Sequence, residues 1–433
     1  MSHQAGSERT RPSGSSAIKL HDKLPSRSAA TNMTNTPSTL AELNAAYTHG
    51  ALNPVDLTNA SLHRAEAEND QSRAFITIMR DSALESAEAS ARRYAAGTPL
   101  SVVDGVPIAV KDFFDTADTA TTAGFRHFVQ RVPKSDAAIV RRVKDIGATI
   151  LGKSNMDAFG RGTTGLASDF GVVRNPRWPE HVPGGSSAGS AAAISAGLVF
   201  ASIDTDAAGS ARLPAACCGI TGFKPTYGLL SGEGILADQP ADETILTSAH
   251  VALQARSVAD IAQLLSALTS QALSMRVTAM KVARVSTAHW HKSMQPAMDA
   301  AISQLELLAV CAGSVATPLE LAVFDIANVT RHRDNSNELL FQDCDILALP
   351  TLAEPVPTVS DAESNKEMGV RAENVFFANY FGLPAVTIPV GFAADGLPVS
   401  LQLVGRAGQD MEVLALAAAL ELRLSGETRE SCG

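Results

Sequence analysis

Gly184-Gly185-Ser186-Ser187-Ala188-Gly189-Ser190 runs straight into an alanine-rich helical text, and Asp206-Ala207-Ala208-Gly209-Ser210-Ala211-Arg212-Leu213-Pro214-Ala215 follows soon after. Upstream stands a third stretch, Gly105-Val106-Pro107-Ile108-Ala109-Val110-Lys111-Asp112. Each sets one reactive group among residues small enough for close backbone approach. A serine hydroxyl is a weak nucleophile until a base removes its proton. Histidine is the usual base, but Ser–Lys pairs serve in some hydrolases. Lys111 closes the apolar run Val106–Val110, so its ammonium is expected beside a low-dielectric sheet, where burial lowers a lysine pKa. The Gly/Ala turn before Ser210 offers several backbone N–H groups pointing one way, as a tetrahedral oxyanion requires.

The three stretches resemble the amidase signature family. Gly184 to Gly189 match its glycine- and serine-rich stretch, Asp206 to Pro214 its nucleophile motif, and Gly105 to Asp112 its lysine motif. The intervals from Lys111 to Ser186 and from Ser186 to Ser210 also agree with the family's pattern. The likeness extends through Thr122-Ala123-Gly124, Gly152 to Asp157, Phe170-Gly171 and Gly219 to Pro225, then resumes at Leu349-Pro350-Thr351 and at Asn379 to Pro389.

This resemblance implies a single large α/β/α domain with a mixed central sheet. It implies Ser210 as nucleophile, Ser186 as a proton-relaying serine after a cis peptide bond, and Lys111 as general base and later acid. N–H groups of Ala207, Ala208, Gly209 and Ser210 would form the oxyanion hole, and Ser187 would support the network by hydrogen bonding. Asp112 and Asp206 read as structural acceptors rather than catalytic carboxylates. Arg212 reads as a loop anchor, with a clamp on a substrate carboxylate as the alternative. The implied reaction is hydrolysis of a small-molecule amide through an acyl-enzyme, with no metal or organic cofactor. The alternative is the glutaminase subunit of a tRNA-dependent amidotransferase.

Three departures from the pattern stand out. Ala208 precedes Gly209 where relatives have two glycines, and Ala188 replaces a glycine after the paired serines. The stretch from about 310 to 340 is shorter than in many relatives, which points to a small substrate or a pocket completed by a second subunit.

Gly185-Ser186-Ser187-Ala188-Gly189 also fits G-x-S-x-G, the nucleophile elbow of α/β-hydrolases. That elbow needs a strand immediately before it. Asn175 to Pro183 carries Pro176, Pro179 and Pro183, so no strand fits there. Cys217 and Cys218 read as small packing residues in a buried turn.

The 433 residues are 45% hydrophobic and 18% charged, enough to build a large core. A formal net charge of −10 argues against a nucleic-acid surface. Five cysteines in no regular framework suggest free thiols in a reducing, cytoplasmic setting. His289 and His291, the closest histidine pair, have no flanking carboxylate or cysteine cluster, so no metal site is expected. No run approaches the roughly 18 apolar residues that span a bilayer. A homodimer is compatible with this composition. Residues 1–38, rich in Ser, Thr, Asn, Arg and Pro, read as a disordered leader, with Met33 as a second possible start and a transit peptide as the rival reading. The amidase domain is then expected over residues 39–427.

From Leu40 onward helix and strand patterns alternate. Helices are expected after Leu40 and over 54–69, 81–95, 136–146, 187–197, 256–268, 293–309, 372–381 and 409–424. Strands are expected at Val106–Val110, Thr149–Gly152, Leu198–Ile203, Val282–Val285, Ile346–Leu349, Ala385–Pro389 and Val399–Val404. Such alternation predicts a parallel or mixed sheet covered on both faces. The stretch 310–345 shows no clear period.

Overall fold

Short apolar runs without polar alternation become strands buried on both sides, as sheets covered by helices require. In the computed structural model, which describes residues 37–239, 243–272, 274–277, 279–286, 288, 290–315, 326–364 and 369–426, eleven strands form one sheet. They are β1 (Phe75–Ile78), β2 (Pro107–Lys111), β3 (Thr149–Ser154), β4 (Ala201–Asp206), β5 (Thr221–Lys224), β6 (His250–Ala255), β7 (Lys281–Val285), β8 (Val310–Val315), β9 (Ile346–Pro350), β10 (Ala385–Phe392) and β11 (Pro398–Gly405). Their order is β1-β3-β2-β4-β6-β5-β10-β11-β9-β7-β8. The pairs β2/β3, β2/β4, β7/β8 and β7/β9 are parallel, and the other neighbours are antiparallel. The sheet is therefore mixed, with parallel blocks near each end and an antiparallel centre.

All seven expected strands are present. The other four carry features that mask a strand pattern: β5 is Thr-Gly-Phe-Lys, β6 begins with His250 and includes Gln254, β1 has four residues, and β8 contains Gly313. The expected helix over 372–381 shrinks to Phe376–Tyr380. Cys217 and Cys218 lie not in a turn but at the end of a helix, Arg212–Cys218, capped by left-handed Gly219. Their burial agrees with the packing reading. The expected leader through residue 36, His289 and Cys432 lie outside the described residues. The unreadable stretch contributes β8 and the short helices Val329–Asp334 and Ser336–Leu340, with residues 316–325 not described.

The main core runs along the sheet under the helices Val258–Thr269, Gln295–Glu306 and Asp410–Leu424. A second cluster on the other face joins the helices Pro54–Ser72 and Ala188–Ser195 to Leu151 and Ala109. Among the described residues no helix is long and apolar enough to cross a membrane.

Candidate active site

β2 lies between β3 and β4 and runs parallel to both, so the three carboxyl ends emerge at one edge. β2 delivers Lys111 there, β3 leads into Asp157, and β4 ends on Asp206 ahead of the Ser210 turn. Lys111 is completely buried. Its Nζ donates to Ser186 Oγ at 2.8 Å and to Thr205 Oγ1 at 2.9 Å. Burial lowers the lysine pKa to about 8, against the opposing pull of the Asp204, Asp206 and Asp157 carboxylates.

Two other lysines, Lys153 and Lys224, are equally buried. Lys153 is ion-paired with Asp112 Oδ1 at 3.1 Å and donates to the Phe114 carbonyl, while Lys224 donates to the Pro225 carbonyl. Among the described residues no carboxylate lies within ion-pairing distance of Lys111, whose acceptors are both hydroxyls. A hydroxyl, unlike a carboxylate, does not require a charged lysine as its partner. With its pKa near 8 and the Ser186 hydroxyl as its acceptor, Lys111 is placed to exchange a proton with a serine near neutral pH. Lys224, pushed well below the usual lysine value by burial, donates instead to a backbone carbonyl that has no proton to give.

Ser186 sits just before the helix Ala188–Ser195, and the Gly185–Ser186 peptide is cis. The Ser186 carbonyl accepts from the Asp157 N–H at 3.1 Å. A Cβ on Gly185 would collide with the Asp157 carboxylate, so glycine is required there. Asp157 in turn accepts from the N–H groups of Gly165 and Ala167 at 3.0 and 2.9 Å, fastening the loop after β3 over the serine. Ser187 ties the two serine loops together: its N–H donates to the Ser210 carbonyl at 3.0 Å and its hydroxyl reaches the Thr205 carbonyl at 3.4 Å. Ser210 lies within this assembly at 9% exposure, against 1% for Ser186. No hydrogen bond to the Ser210 hydroxyl is formed among the described residues, so Lys111–Ser186 is the one direct contact within the expected triad.

The turn from Asp206 to Ser210 narrows the expected oxyanion hole. Gly209 donates its N–H to Asp206 Oδ1 at 2.7 Å, which removes it from the set. The N–H groups of Ala207, Ala208 and Ser210 have no acceptor among the described residues. Gly209, not Ala208, takes the left-handed conformation (φ +99°), so alanine at 208 fits without strain.

Asp206 and Arg212 form the floor of this turn, both without exposure. Burial alone would raise the Asp206 pKa, but the Arg212 guanidinium, with help from Asn379, holds it well below the usual range. Arg212 Nε and Nη2 meet Asp206 at 2.9 and 3.0 Å, and Nη2 also reaches Asn379 Oδ1 at 2.6 Å. Nη1 donates to Gln402 Oε1 at 2.6 Å and to the Val375 carbonyl at 3.0 Å. All five guanidinium hydrogens are thereby engaged. Arg212 is an anchor, and the carboxylate-clamp alternative falls. Asp112 is likewise a structural acceptor, bound by Lys153 and by the Thr122 N–H at 2.9 Å.

Sequence reasoning missed Thr205, Asp157, Asn379 and Gln402. Thr205 had a signal: strand alternation puts it on the opposite face of β4 from Asp204 and Asp206. The other three reach the site from segments distant in the chain, and their types alone carry no such signal.

Comparison with known proteins agrees with this arrangement. The family described as Amidase matches residues 56–311 and 320–414. The chain is 31% identical to a fatty acid amide hydrolase of Arabidopsis thaliana, covering 78% of this chain and 68% of that protein. It is 30% identical to the glutamyl-tRNA(Gln) amidotransferase A subunit of Myxococcus xanthus, covering 89% and 97%. Among solved structures, the peptide amidase of Stenotrophomonas maltophilia superposes with a TM-score of 0.75 at 25% identity, covering 90% of this chain and 97% of that one. The sheet, the buried Lys111 and these matches across both halves of the chain converge: the protein belongs to the amidase signature family.

Proposed function

We propose that the protein hydrolyses the C–N bond of a small-molecule amide through an acyl-enzyme on Ser210. The observation that carries this reading is the Lys111–Ser186 hydrogen bond between a buried lysine and a buried serine at the edge where Ser210 emerges. Neutral Lys111 takes the Ser186 proton as Ser186 takes that of Ser210, and Ser210 Oγ attacks the amide carbonyl. Developing negative charge on the carbonyl oxygen is met by the free N–H groups of Ala207, Ala208 and Ser210. The C–N bond then breaks, and the leaving nitrogen receives its proton from Lys111 through Ser186. Water follows the same route in reverse to release the acid.

The likeness to the amidotransferase A subunit supports a second reading, in which the ammonia freed from glutamine passes to a partner protein. A fluorophosphonate probe tests the nucleophile, and ammonia or amine release from primary amides, anilides and glutamine tests the reaction. The expected result is labelling at Ser210, lost in Ser210→Ala, with hydrolysis of at least one simple amide by the isolated chain. Equal labelling and turnover in Ser210→Ala would overturn the reading. Turnover of glutamine alone would favour the second.

A further inference from the structure

The loop that Asp157 fastens over Ser186 carries an aromatic ring into an unusual position. Phe159 adopts a left-handed conformation (φ +56°), which is rare for a bulky residue and unfavourable without compensation. Its N–H donates to the Ala123 carbonyl at 2.9 Å. The next residue, Gly160, faces the reactive pair: a methyl group there would lie 3.7 Å from Ser186 Oγ and 3.5 Å from the Phe113 ring. Phe113 in turn stands 5.8 Å from Lys111 Nζ.

Phe159 packs against the small cluster of Phe113, Ala123, Met156 and Leu236 on its inner side. On its outer side it meets Phe125 at 5.0 Å and Phe128 at 5.7 Å between ring centroids, and these two meet each other edge-on at 6.0 Å. All three outer rings are half-buried, so each keeps part of its surface open. A row of packed rings thus leads from the surface, where the exposed His127 also meets Phe125 and Phe128 at 5.9 and 5.7 Å, through Phe159 toward Phe113 and the Lys111–Ser186 pair. The guanidinium of neighbouring Arg126 is directed elsewhere, over the Phe170 ring and to the Asp169 carbonyl.

Ligand sites combine such apolar aromatic walls with a few polar groups at the reacting end. Tilted and edge-on ring arrangements are also those in which a further aromatic ring is attracted. We propose that Phe125, Phe128 and Phe159 form a substrate subsite that seats an uncharged aromatic group of the amide. This assignment rests on the reading of the Ser210 site as an amidase centre, and it disfavours the charged amino-acid end of glutamine as occupant.

The test measures binding apart from turnover. In the Ser210→Ala protein, ligand-observed NMR titration compares acetamide with phenylacetamide and acetanilide, so that the ring is offered on either side of the amide. The expected result is affinity for at least one aromatic amide about tenfold above that for acetamide. Adding Phe159→Ala should erase most of that preference, while Phe159→Tyr should keep it. Phe128→Ala, whose backbone lies in an ordinary helical turn, should do the same as Phe159→Ala and serves if that variant does not fold. In the active protein the same changes should raise KM for the aromatic amide more than for acetamide. Equal affinity for all three amides, or a preference untouched by both alanine variants, would overturn the subsite. Loss of fluorophosphonate labelling at Ser210 is scored separately and bears on the catalytic reading alone.

Discussion

What separates Lys111 from the other buried lysines is its partners. Lys153 faces the Asp112 carboxylate and Lys224 a backbone carbonyl, whereas Lys111 faces two hydroxyls, one of them the Ser186 that can pass a proton on. With its pKa lowered to about 8, neutral lysine prevails above that pH and is lost as pH falls through it. Acylation should therefore rise along an acidic limb centred near pH 8 and flatten above it, read from pre-steady-state bursts. The Asp204 carboxylate is the largest charge opposing the shift. Asp204→Asn should move the limb to lower pH, and an unmoved or alkaline-shifted limb would contradict that role. Lys111→Ala and Ser210→Ala should each cost on the order of 10³-fold or more in kcat, with the double variant scarcely worse, because the groups act as one unit. Near-normal acylation in Lys111→Ala, on an unchanged pH profile, would remove Lys111 from the mechanism.

Elements are joined by similar bargains between burial and charge. Glu421, near the end of the helix Asp410–Leu424, accepts from the Val258 N–H at 3.1 Å, at the start of the helix Val258–Thr269. Burial raises its pKa to about 7, although the Val258 N–H favours the charged form. The folded chain therefore holds this proton more tightly than the unfolded one. The resulting stabilisation is complete below the ordinary carboxylate range and is lost as pH rises through about 7. Glu421→Gln, which cannot ionise, should melt with the wild type near pH 4 and above it at pH 8, by on the order of 1 kcal/mol. Parallel melting curves at both pH values would show that the ionisation has no such weight.

At the scale of the whole molecule, Arg212 ties together segments that lie far apart in the chain. It joins Asp206 at the end of β4 to Gln402 on β11 and to the 375–379 segment. The turn that carries Ser210 is thus positioned by residues far along the chain. Arg212→Met should leave Asp206 buried without its counter-charge, at a cost of about 3–5 kcal/mol in denaturant unfolding, and should lower kcat as well. An unchanged unfolding midpoint would show that Asp206 is held by other means. At the other end of the chain, Thr39 and Glu42 form a complete capping box on the helix Leu40–Thr48. We propose that a protein starting at Pro37 keeps this cap and has wild-type turnover and melting temperature; a marked fall in either would assign residues 1–36 a part in folding or catalysis.

Sequence alone determined a great deal wherever the information is local. The seven apolar strands, the small residues around Ser186 and Ser210, and a lysine closing an apolar run all follow from neighbours in the chain. Steric fit and burial act over those few residues. Which N–H groups remain free depended on both: Gly209 donates to Asp206 only three residues back, but the carboxylate that accepts is itself held by Asn379 from far along the chain. Tertiary structure alone decided that Arg212 anchors, since its partners Asn379 and Gln402 arrive from segments near the end of the chain. The strands β5 and β6 were illegible. Their glycine, lysine, histidine and glutamine interrupt the apolar run that marks a strand, and the partner that Gln254 finds across the sheet, Asp204 of β4, lies fifty residues away and leaves no periodic trace in the text.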